Sequence, residues 1–404
     1  MKKKIIFFGI LLVVILVIAV LWLVKTYVGD LRPVLLPPSK DLIEIIEKQQ
    51  VGNPVDFPLK IASGFKIGVF AKELGKARDL QFSPGGTLLV SSKESGKVFA
   101  LPDVDNDGKA DKTVEVLKDL DTPHGLAFHP FNTSDGKQVK LFVAELRGVS
   151  RYSWDEENLS AKFEKKLFDL PYNGNHSTRS IVIDKNGNLF VSLGSSCNVC
   201  VEEHHWLATI VVSDTQGKAP RLYAKGLRNS VFIRLNPTTG ELWGTEMGRD
   251  LIGDDLPPEE INIIREEKNY GWPTCYGSKV HDEQFDHNHK AGECEDTEAP
   301  IYKFQAHSAP LGLTFIASAQ FPQDWQGDLL VAYHGSWNRS VPTGYKIVRM
   351  KVEGNKITAD QDFITGFLQG SNALGRPVDV EFDKSGSLYI SDDKIGTIYK
   401  VVLE

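Results

Sequence analysis

The sequence predicts an all-β protein, a six-bladed β-propeller preceded by an N-terminal transmembrane helix. Three observations support this prediction: an apolar run at 5–24, a two-residue alternation of apolar and polar positions from residue 78 onward, and one strand–turn–strand pattern that recurs six times. Apolar residues make up 41% of the 404 positions and charged residues 25%, which is the composition of a folded protein. The net charge of −7 argues against a nucleic-acid partner, which would require a basic surface.

The N-terminal run at 5–24 contains no charged residue. As a helix it would be about 30 Å long, the thickness of a bilayer's hydrocarbon core. The lysines at 2–4 should stay in the cytoplasm and leave the rest of the chain outside. A cleavable signal peptide, the alternative, has a shorter apolar run. We therefore predict a membrane anchor at 1–28, a proline-punctuated tether at 29–56, and an extracytoplasmic domain, periplasmic or on the cell surface, at 57–404.

The repeated pattern is an apolar strand, a turn and a second strand with alternating apolar residues. Its turn glycines are Gly86, Gly136, Gly187, Gly240, Gly327 and Gly386. A period of about 50 residues with several strands per repeat is typical of propeller blades, and a β-sandwich is the alternative. The strand-like stretch at 65–74 should pair with the end of the chain and close the ring. The one long interval, between the fourth and fifth glycines, indicates an insertion, and insertions often carry function.

The four cysteines are Cys197, Cys200, Cys275 and Cys294. An even number in an extracytoplasmic domain predicts two disulfides, and pairing of neighbours, 197–200 and 275–294, is the simplest of the three connectivities. The alternative is a metal site, because His204 and His205 follow the C-x-x-C, although this spacing matches no standard zinc motif. The histidine-rich segment 281–290 is interpreted as a solvated loop.

Residues 103–111 read DVDNDGKAD, in which carboxylates alternate and Gly108 permits a tight turn. The acidic residues are Asp103, Asp105, Asp107 and Asp111. Carboxylates two positions apart on a bent loop turn their oxygens towards one hard cation, as in the first half of an EF-hand loop. Because the glutamate expected at position 12 of an EF-hand is absent, we predict an isolated structural Ca²⁺ loop. An acidic surface turn is the alternative.

Polar and mostly cationic residues precede the first strand of each copy at one register. They are Arg78, His124, His176, Arg228 with Asn229, His307 and Arg376. In a propeller such positions gather at one mouth of the central channel. The spacing therefore predicts an electropositive ring that binds an anionic ligand.

Six longer motifs carry a family resemblance. They are HSTRSIVIDKNGNLFVSLGSSCNVC, GLRNSVFI, TEMGRDLIGDDLPPEEINII, NYGWPTCYG, AYHGSWNR and GRPVDVEFDKSGSLYISDD. From about residue 60 to 404 the chain resembles the PQQ-dependent glucose/sorbosone dehydrogenase family, and it is most similar to the sorbosone dehydrogenase-like and pyranose dehydrogenase-like branch. The resemblance implies a propeller that oxidises an aldose or sorbosone-type sugar by hydride transfer to pyrroloquinoline quinone (PQQ), with Ca²⁺ bound. A separate electron acceptor, a quinone or a cytochrome, is implied because the chain has no haem-attachment motif.

The resemblance also implies roles for individual residues. His176 matches the general base that takes the proton of the sugar hydroxyl. Arg228 and Asn229 match the pair beside the quinone oxygens, and Arg376 matches an arginine that binds the cofactor's carboxylates. The backbone carbonyls of Gly248 and Arg249 match the ligands of the cofactor's Ca²⁺, and nearby acids that could support the ion are Glu246, Asp254 and Asp255.

The chain departs from the glucose-oxidising branch at three places. No second arginine follows Arg376, and an aspartate of that branch is here Ser195 or Ser196. That branch also has a cofactor-binding lysine where this chain reads HGSWNRS, so a substitute is expected among His334, Asn338 and Arg339. We therefore add Arg339 and Arg78 to the predicted cofactor-binding residues. Sugar contacts are predicted for His124, Trp337 and His334.

Two other functions fit a propeller. A catalytically silent propeller would bind a carbohydrate or a protein, and its His176 and Arg228 would be replaceable. A Ca²⁺-dependent lactonase or esterase would need a central cation held by carboxylates and amides, whereas the predicted mouth contains mainly arginine and histidine. The dehydrogenase interpretation is preferred for this reason.

Overall fold

The structure, a computed structural model, describes residues 2–29, 32–35, 59–130, 138–172, 174–288 and 292–404. Two helices, α1 (Lys2–Tyr27) and α2 (Arg32–Leu35), precede the propeller. Among the residues so described, no helix is long and apolar enough to cross a membrane. The predicted transmembrane helix is therefore not confirmed. Nearly all of the predicted tether lies outside the described residues.

Six antiparallel sheets form the predicted blades. Strands β1 (Lys60–Ile61) and β2 (Phe65–Ala71) come first along the chain and join the outer edges of the last two blades. Blade 1 comprises β3 (Ala77–Phe82), β4 (Leu88–Ser92), β5 (Lys97–Leu101) and β6 (Val114–Leu117). Blade 2 comprises β7 (Leu126–His129), β8 (Lys140–Glu145), β9 (Gly148–Asp155) and β10 (Ser160–Asp169). Blade 3 comprises β11 (Ile181–Ile183), β12 (Asn188–Leu193), β13 (Thr209–Asp214) and β14 (Arg221–Lys225).

The fourth blade carries the long insertion that the turn spacing predicts. Its strands and the inserted hairpin are, in chain order, β15 (Ile233–Leu235), β16 (Leu242–Glu246), β17 (Glu259–Ile264), the hairpin β18 (Cys275–Tyr276) and β19 (Val280–His281), and β20 (Tyr302–Phe304). Blade 5 comprises β21 (Pro310–Phe315), the short 3₁₀ helix η1 (Gln323–Trp325), β22 (Leu329–Tyr333), β23 (Lys346–Glu353) and β24 (Lys356–Thr365). A small hairpin, β25 (Leu368–Gln369) and β26 (Asn372–Ala373), leads to blade 6, which comprises β27 (Pro377–Phe382), β28 (Leu388–Asp392) and β29 (Thr397–Leu403).

The ring closes as predicted, because β2 pairs antiparallel with β29 and becomes the outer strand of blade 6. The first strands of neighbouring blades contact each other all the way around, so they line the central channel. Six clusters of buried apolar side chains fill the six interfaces between blades. The fold therefore stabilises each blade chiefly against its two neighbours, since a single sheet cannot bury both faces.

The first two strands of every blade pair in one common register. The equivalent pairs are Leu80–Val90, Leu126–Val143, Ile181–Val191, Ile233–Gly244, Leu313–Val331 and Val380–Ile390. Positions counted from these pairs can therefore be compared from blade to blade, and the first member is called the reference position below.

Candidate active site

The predicted polar ring lies at two levels rather than at one register. Arg78 and His124 stand two residues before the reference position, and both are buried. The equivalent residue of blade 3 is Arg179, which is fully buried and which the sequence reasoning missed. The loop residues stand four to six positions before the reference position, and they are His176, Arg228, His307 and Arg376. Three cationic or imidazole groups are therefore buried beneath the loops, and the Arg179 guanidinium donates to backbone carbonyls of the loop before blade 3.

His176 is held by the residues that follow strand β12. Its Nδ1 lies 2.9 Å from the backbone oxygen of Ser195 and 3.0 Å from the Ser195 Oγ. A carbonyl oxygen only accepts hydrogen bonds, so Nδ1 carries the proton and Nε2 is left as the acceptor in the neutral ring. Burial, helped by the positive charge of Arg228, lowers the pKa of His176 to about 3. The ring is thus neutral at ordinary pH with Nε2 able to take a proton.

Ser195 is one of the two serines expected in place of the aspartate of the glucose-oxidising branch, and it is the one that contacts His176. Its hydroxyl donates to the carbonyl of Cys197 at 2.6 Å, so it is a neutral acceptor towards the histidine. Close packing continues at Gly194, where an added Cβ would lie 2.5 Å from the Cβ of His176 and 2.8 Å from Oδ1 of Asn229. Only glycine fits between these two side chains. The structure therefore brings His176 and Asn229 together, as the family motif implies.

Arg228 is buried and directs its donors at protein acceptors. Its Nη1 donates to the carbonyl of Gly248 at 2.7 Å, and its Nη2 forms an ion pair with Asp250 at 3.0 Å. Nε and Nη2 also donate to the backbone and side-chain oxygens of Asn198. Asn198 lies inside the Cys197–Cys200 disulfide, one of the two local disulfides that the structure confirms. The disulfide loop therefore positions the arginine, a role that the cysteine spacing did not indicate.

The predicted Ca²⁺ ligands adjoin a small cavity lined by Arg228, Gly248, Arg249 and two glutamates, Glu246 and Glu260. The Gly248 carbonyl already accepts from Arg228, and the Arg249 side chain pairs with Asp282 at 3.0 Å. Glu246 accepts from the backbone N–H of Asn229 at 2.7 Å, and burial raises its pKa to about 8. This hydrogen bond holds the backbone of the Arg228–Asn229 segment in place.

The two other acids predicted near this ion lie elsewhere. Asp254 and Asp255 are bound to Arg339: the carbonyl of Asp254 accepts from Nη1, and the carboxylate of Asp255 accepts from Nη2 at 2.8 Å. Asp255 is also largely exposed. The structure thus places Arg339 against the insertion of blade 4.

A second group of side chains joins blades 5, 6 and 1. Asp393 forms an ion pair with Arg78 at 2.7 Å and accepts from Nε2 of His334 at 2.8 Å. Arg376 donates to the carbonyls of His334 and Gly335. Burial and the charge of Arg376 lower the pKa of His334 to about 4, so this imidazole is neutral. Burial alone would raise the pKa of Asp393, but its histidine and arginine neighbours outweigh burial and hold it below the ordinary value.

Asp393 and His334 occupy equivalent places, three residues after the reference partner on the second strand of their blades. The equivalent residue of blade 1 is Lys93. Lys93 and Asp393 were not among the predicted residues, although an alignment of LLVSSK with LYISDD pairs them. A second row of mouth residues therefore exists beside the predicted ring.

The remaining predicted contacts are placed as follows. His124 is fully buried and packs on Phe232 with ring centroids 5.0 Å apart. His307 is buried as well, and its Nε2 bonds to the carbonyl of Gly253 at 2.8 Å. Trp337 is half-buried and lies in the loop that follows β22, the second strand of blade 5. Of the three predicted sugar contacts, only Trp337 and His334 retain exposed surface.

Deeper in the channel, Arg234 joins three blades through buried carboxylates. It pairs with Asp379 at 3.0 Å, with Glu381 at 3.2 Å and with Asp79 at 3.9 Å. Burial raises the pKa of Asp79 well above its ordinary value, and the neighbouring Asp379 adds to the increase. This cluster of charges links blades 1, 4 and 6 and has no counterpart in the sequence predictions.

The acidic loop lies at the opposite end of blade 1 from Lys93, because it follows the far end of β5. Single carboxylate oxygens of Asp103, Asp105 and Asp107 lie within 4.8 Å of one another. Asp111 is not part of this group, since its carboxylate accepts from the backbone of Val104 at 2.7 Å. Asp103 also pairs with Lys400 at 3.3 Å. Three of the four predicted Ca²⁺ ligands are thus brought together.

Two other metal hypotheses change with the structure. Cys197 and Cys200 bond to each other, so they present no thiolates to a metal, and His204 and His205 stack in the open with centroids 4.9 Å apart. The interpretation of 281–290 as a solvated loop is wrong for His281. Its side chain is 8% exposed and lies 3.2 Å from Asp286, because it belongs to the hairpin of the insertion.

Comparison with known proteins extends these observations. The family model described as TrAA12-like matches residues 59–404. An uncharacterized protein of Borreliella burgdorferi is 32% identical over 361 residues, which cover 86% of this chain and 91% of that protein. A Hypocrea jecorina protein named pyrroloquinoline quinone-dependent sugar dehydrogenase is 24% identical over 400 residues, which cover 85% of this chain and 90% of that protein.

Solved structures share the propeller fold at lower identity. An AA12-family carbohydrate-active enzyme of Trichoderma reesei superimposes with a TM-score of 0.75 at 23% identity, covering 88% of this chain and 99% of that one. The holo PQQ domain of pyranose dehydrogenase from Coprinopsis cinerea superimposes with a TM-score of 0.71 at 22% identity, covering 87% and 98%. These matches show the fold.

Proposed function

The chain belongs to the TrAA12-like family, and from this membership we propose that it is an oxidoreductase that uses PQQ to oxidise an aldose or a sorbosone-type sugar. The observation that carries the proposal is the imidazole of His176, which is neutral, oriented through Nδ1 and free to accept a proton at Nε2. The relatives named as PQQ-dependent sugar dehydrogenases support it.

The mouth fits an anionic, planar cofactor. PQQ carries three carboxylates and supplies, when bound, a two-electron acceptor for the sugar. The Nε atoms of Arg78 and Arg179 are buried donors with no acceptor among the described residues, and buried donors normally have one. Arg376, Arg228 and Asn229 would hold the carboxylate and quinone oxygens, in keeping with the family motif. The donor set therefore matches the chemistry of the group.

The residues of this chain would accept the proton of the sugar hydroxyl and stabilise the negative charge that develops during the reaction. His176 Nε2 accepts the proton of the sugar hydroxyl, while Ser195 keeps the ring in the required tautomer. Arg228 brings a fixed positive charge to the place where negative charge develops. Trp337 and His334 offer surface to the sugar ring. The closely packed Gly194 keeps His176 and Asn229 side by side.

Calcium is proposed at two places. The carbonyls of Gly248 and Arg249 adjoin the cavity beside Arg228, and an ion there must share the Gly248 carbonyl with the arginine. The loop with Asp103, Asp105 and Asp107 is proposed as a structural Ca²⁺ site, where the ion would relieve the repulsion between carboxylates.

We also propose that the propeller is extracytoplasmic, anchored by the apolar N-terminal segment, and that electrons leave to a separate quinone or cytochrome. The two disulfides support an oxidising compartment. Fractionation of expressing cells, before and after an alkaline wash, tests the anchor. Recovery in the washed soluble fraction would contradict it.

The test of function uses the full chain, produced under oxidising conditions and supplied with PQQ and Ca²⁺. Dye reduction is followed with a panel of aldoses and with sorbosone. We expect PQQ-dependent turnover that is lost in His176→Asn and kept in the control His205→Asn, whose ring is exposed. Turnover that survives in His176→Asn would refute the assigned base. Failure of the protein to bind PQQ would refute the enzyme proposal and favour a carbohydrate- or protein-binding propeller.

A further inference from the structure

Lys93 stands at the mouth of the channel on blade 1, directly after strand β4. Its backbone N–H donates to the carbonyl of Lys76, which fixes it beside the strand that carries Arg78. Asp393 and His334 occupy the same position in blades 6 and 5, and both belong to the polar group that joins blades 5, 6 and 1. The half-buried side chain of Lys93 therefore faces the same group.

The ammonium of Lys93 differs from the other cations of the mouth in its partners. Arg78 is paired with Asp393, and Arg228 with Asp250. Arg376 is bound to two backbone carbonyls. Throughout the described part of the chain, no residue accepts a hydrogen bond from Lys93 Nζ, and none forms an ion pair with it. The three N–H donors of the Lys93 ammonium therefore have no partner among the described residues, at a half-buried position.

The surroundings make this arrangement costly without a ligand. Burial and then the charge of Arg78 lower the pKa of Lys93, with a smaller contribution from Arg179, although Asp393 acts in the opposite direction. The charge of Lys93 also contributes to lowering the pKa of His124 and of His176. An anion placed between these cations would pair with Lys93 and reverse the unfavourable interaction.

The sequence departures leave a place for this cation. The residues expected to replace the lysine of the glucose-oxidising branch are all engaged elsewhere. His334 is neutral and bonded to Asp393, Asn338 donates to Asp250, and Arg339 is bound to the insertion of blade 4. None of these groups offers a free positive charge.

We propose that Lys93 binds a carboxylate of the anionic ligand and so supplies, from blade 1, the lysine that this chain lacks on blade 5. The inference rests on the proposed function for the identity of the ligand, PQQ, and on the geometry of the mouth for the chemistry of the contact. A half-buried lysine with a purely structural role would instead be expected to have a carbonyl or carboxylate partner.

The test measures ligand binding without sugar or dye. PQQ is titrated into the full chain and into Lys93→Met, Lys93→Arg and the control Lys118→Met, whose side chain is 66% exposed on the same blade. Loss of one charge-assisted hydrogen bond should weaken PQQ binding by roughly ten- to a hundredfold in Lys93→Met. We expect partial recovery in Lys93→Arg and no change in the control. Thermal unfolding checks that every variant is folded.

A second probe separates this inference from the proposed function. Benzene-1,3,5-tricarboxylate carries three carboxylates but no quinone, and it is titrated into the same variants by calorimetry. If the parent protein binds the tricarboxylate but not PQQ, the dehydrogenase proposal fails, and a weaker tricarboxylate complex of Lys93→Met still supports the carboxylate contact. Equal affinity of the parent protein and Lys93→Met for every ligand that binds, or no binding of either ligand to the parent protein, would overturn the inference.

Discussion

The ion pair between Arg78 and Asp393 gives a prediction about stability that can be compared with a matched pair elsewhere. The two side chains are 9% and 13% exposed, and their atoms approach to 2.7 Å. Arg147 and Asp121 form an ion pair of similar length, 2.6 Å, but their side chains are 60% and 43% exposed. The substitutions Asp393→Asn and Asp121→Asn therefore remove the same charge from two different environments.

The expected effects follow from burial. At an effective dielectric constant of 20, two unit charges 4 Å apart attract by about 4 kcal/mol. Breaking a buried pair, which strands the remaining charge, costs about 3–5 kcal/mol. In this protein the stranded Arg78 would also lie near Lys93 and Arg376, which adds repulsion. An exposed pair contributes only about 0–1 kcal/mol because water screens it.

The assay is urea unfolding of the full chain without reductant, so that both disulfides stay intact, followed by tryptophan fluorescence at pH 7. We expect Asp393→Asn to lower the free energy of unfolding by about 3–5 kcal/mol and Asp121→Asn by less than about 1 kcal/mol. Equal losses for the two variants would refute the argument that burial gives the mouth pair its strength.

The same pair has a defined pH dependence. The pKa of Asp393 is lower in the folded protein than its ordinary value, so its contribution to stability is complete above the unfolded pKa of about 3.9. That contribution is lost as the pH falls through the folded pKa. The difference in stability between the parent protein and Asp393→Asn should therefore be constant from pH 6 to 7 and shrink below about pH 4.

Three further predictions concern the base, the disulfide loop and the acidic loop. Gly194→Ala should lower turnover by more than about tenfold with the fold retained, because its Cβ would meet His176 and Asn229, and steady-state kinetics with circular dichroism tests this. Removing Cys197 and Cys200 together should lower turnover more than removing Cys275 and Cys294, since only the first disulfide encloses Asn198, the partner of Arg228; equal losses would contradict this. Asp105→Asn should reduce the rise in melting temperature on Ca²⁺ addition and leave PQQ binding unchanged, which thermal unfolding and PQQ titration measure together.

The fold could be predicted from the sequence because its determinants are local. The alternation of apolar residues and the turn glycines identify each pair of strands, and the 50-residue period identifies the blade. The disulfides and the closing pair of β2 with β29 followed from short spacings and from the two unpaired strands at the ends. The transmembrane prediction for the N-terminal run is not confirmed, because no helix among the described residues is long and apolar enough to cross a membrane.

The height of each polar residue in the channel could not be predicted from spacing. The register between the first two strands shifts between Ala77 and Leu80, between Pro310 and Leu313, and between Pro377 and Val380. Such a bulge adds one residue to the first strand of blades 1, 5 and 6, so the same residue count does not give the same height in every blade. Arg179 and Arg78 both stand two positions before the reference position, whereas His176 and Arg376 stand five and four positions before it, in the loops.

The mouth also depends on how the ring closes. Arg78 and Asp393 are 315 positions apart in the chain, yet they lie on the first and sixth blades, which become neighbours only when β2 joins β29. Lys93 belongs to the same closing interface, and deeper in the channel Asp79 and Asp379 approach each other across it and share Arg234. Asp79 also accepts a hydrogen bond from the backbone of Leu126 on blade 2, and Arg234 reaches the interface from blade 4, so these charges are stabilised by partners from several blades. The polar site is thus a property of the closed propeller, and no single blade contains enough of it to bind the proposed ligand.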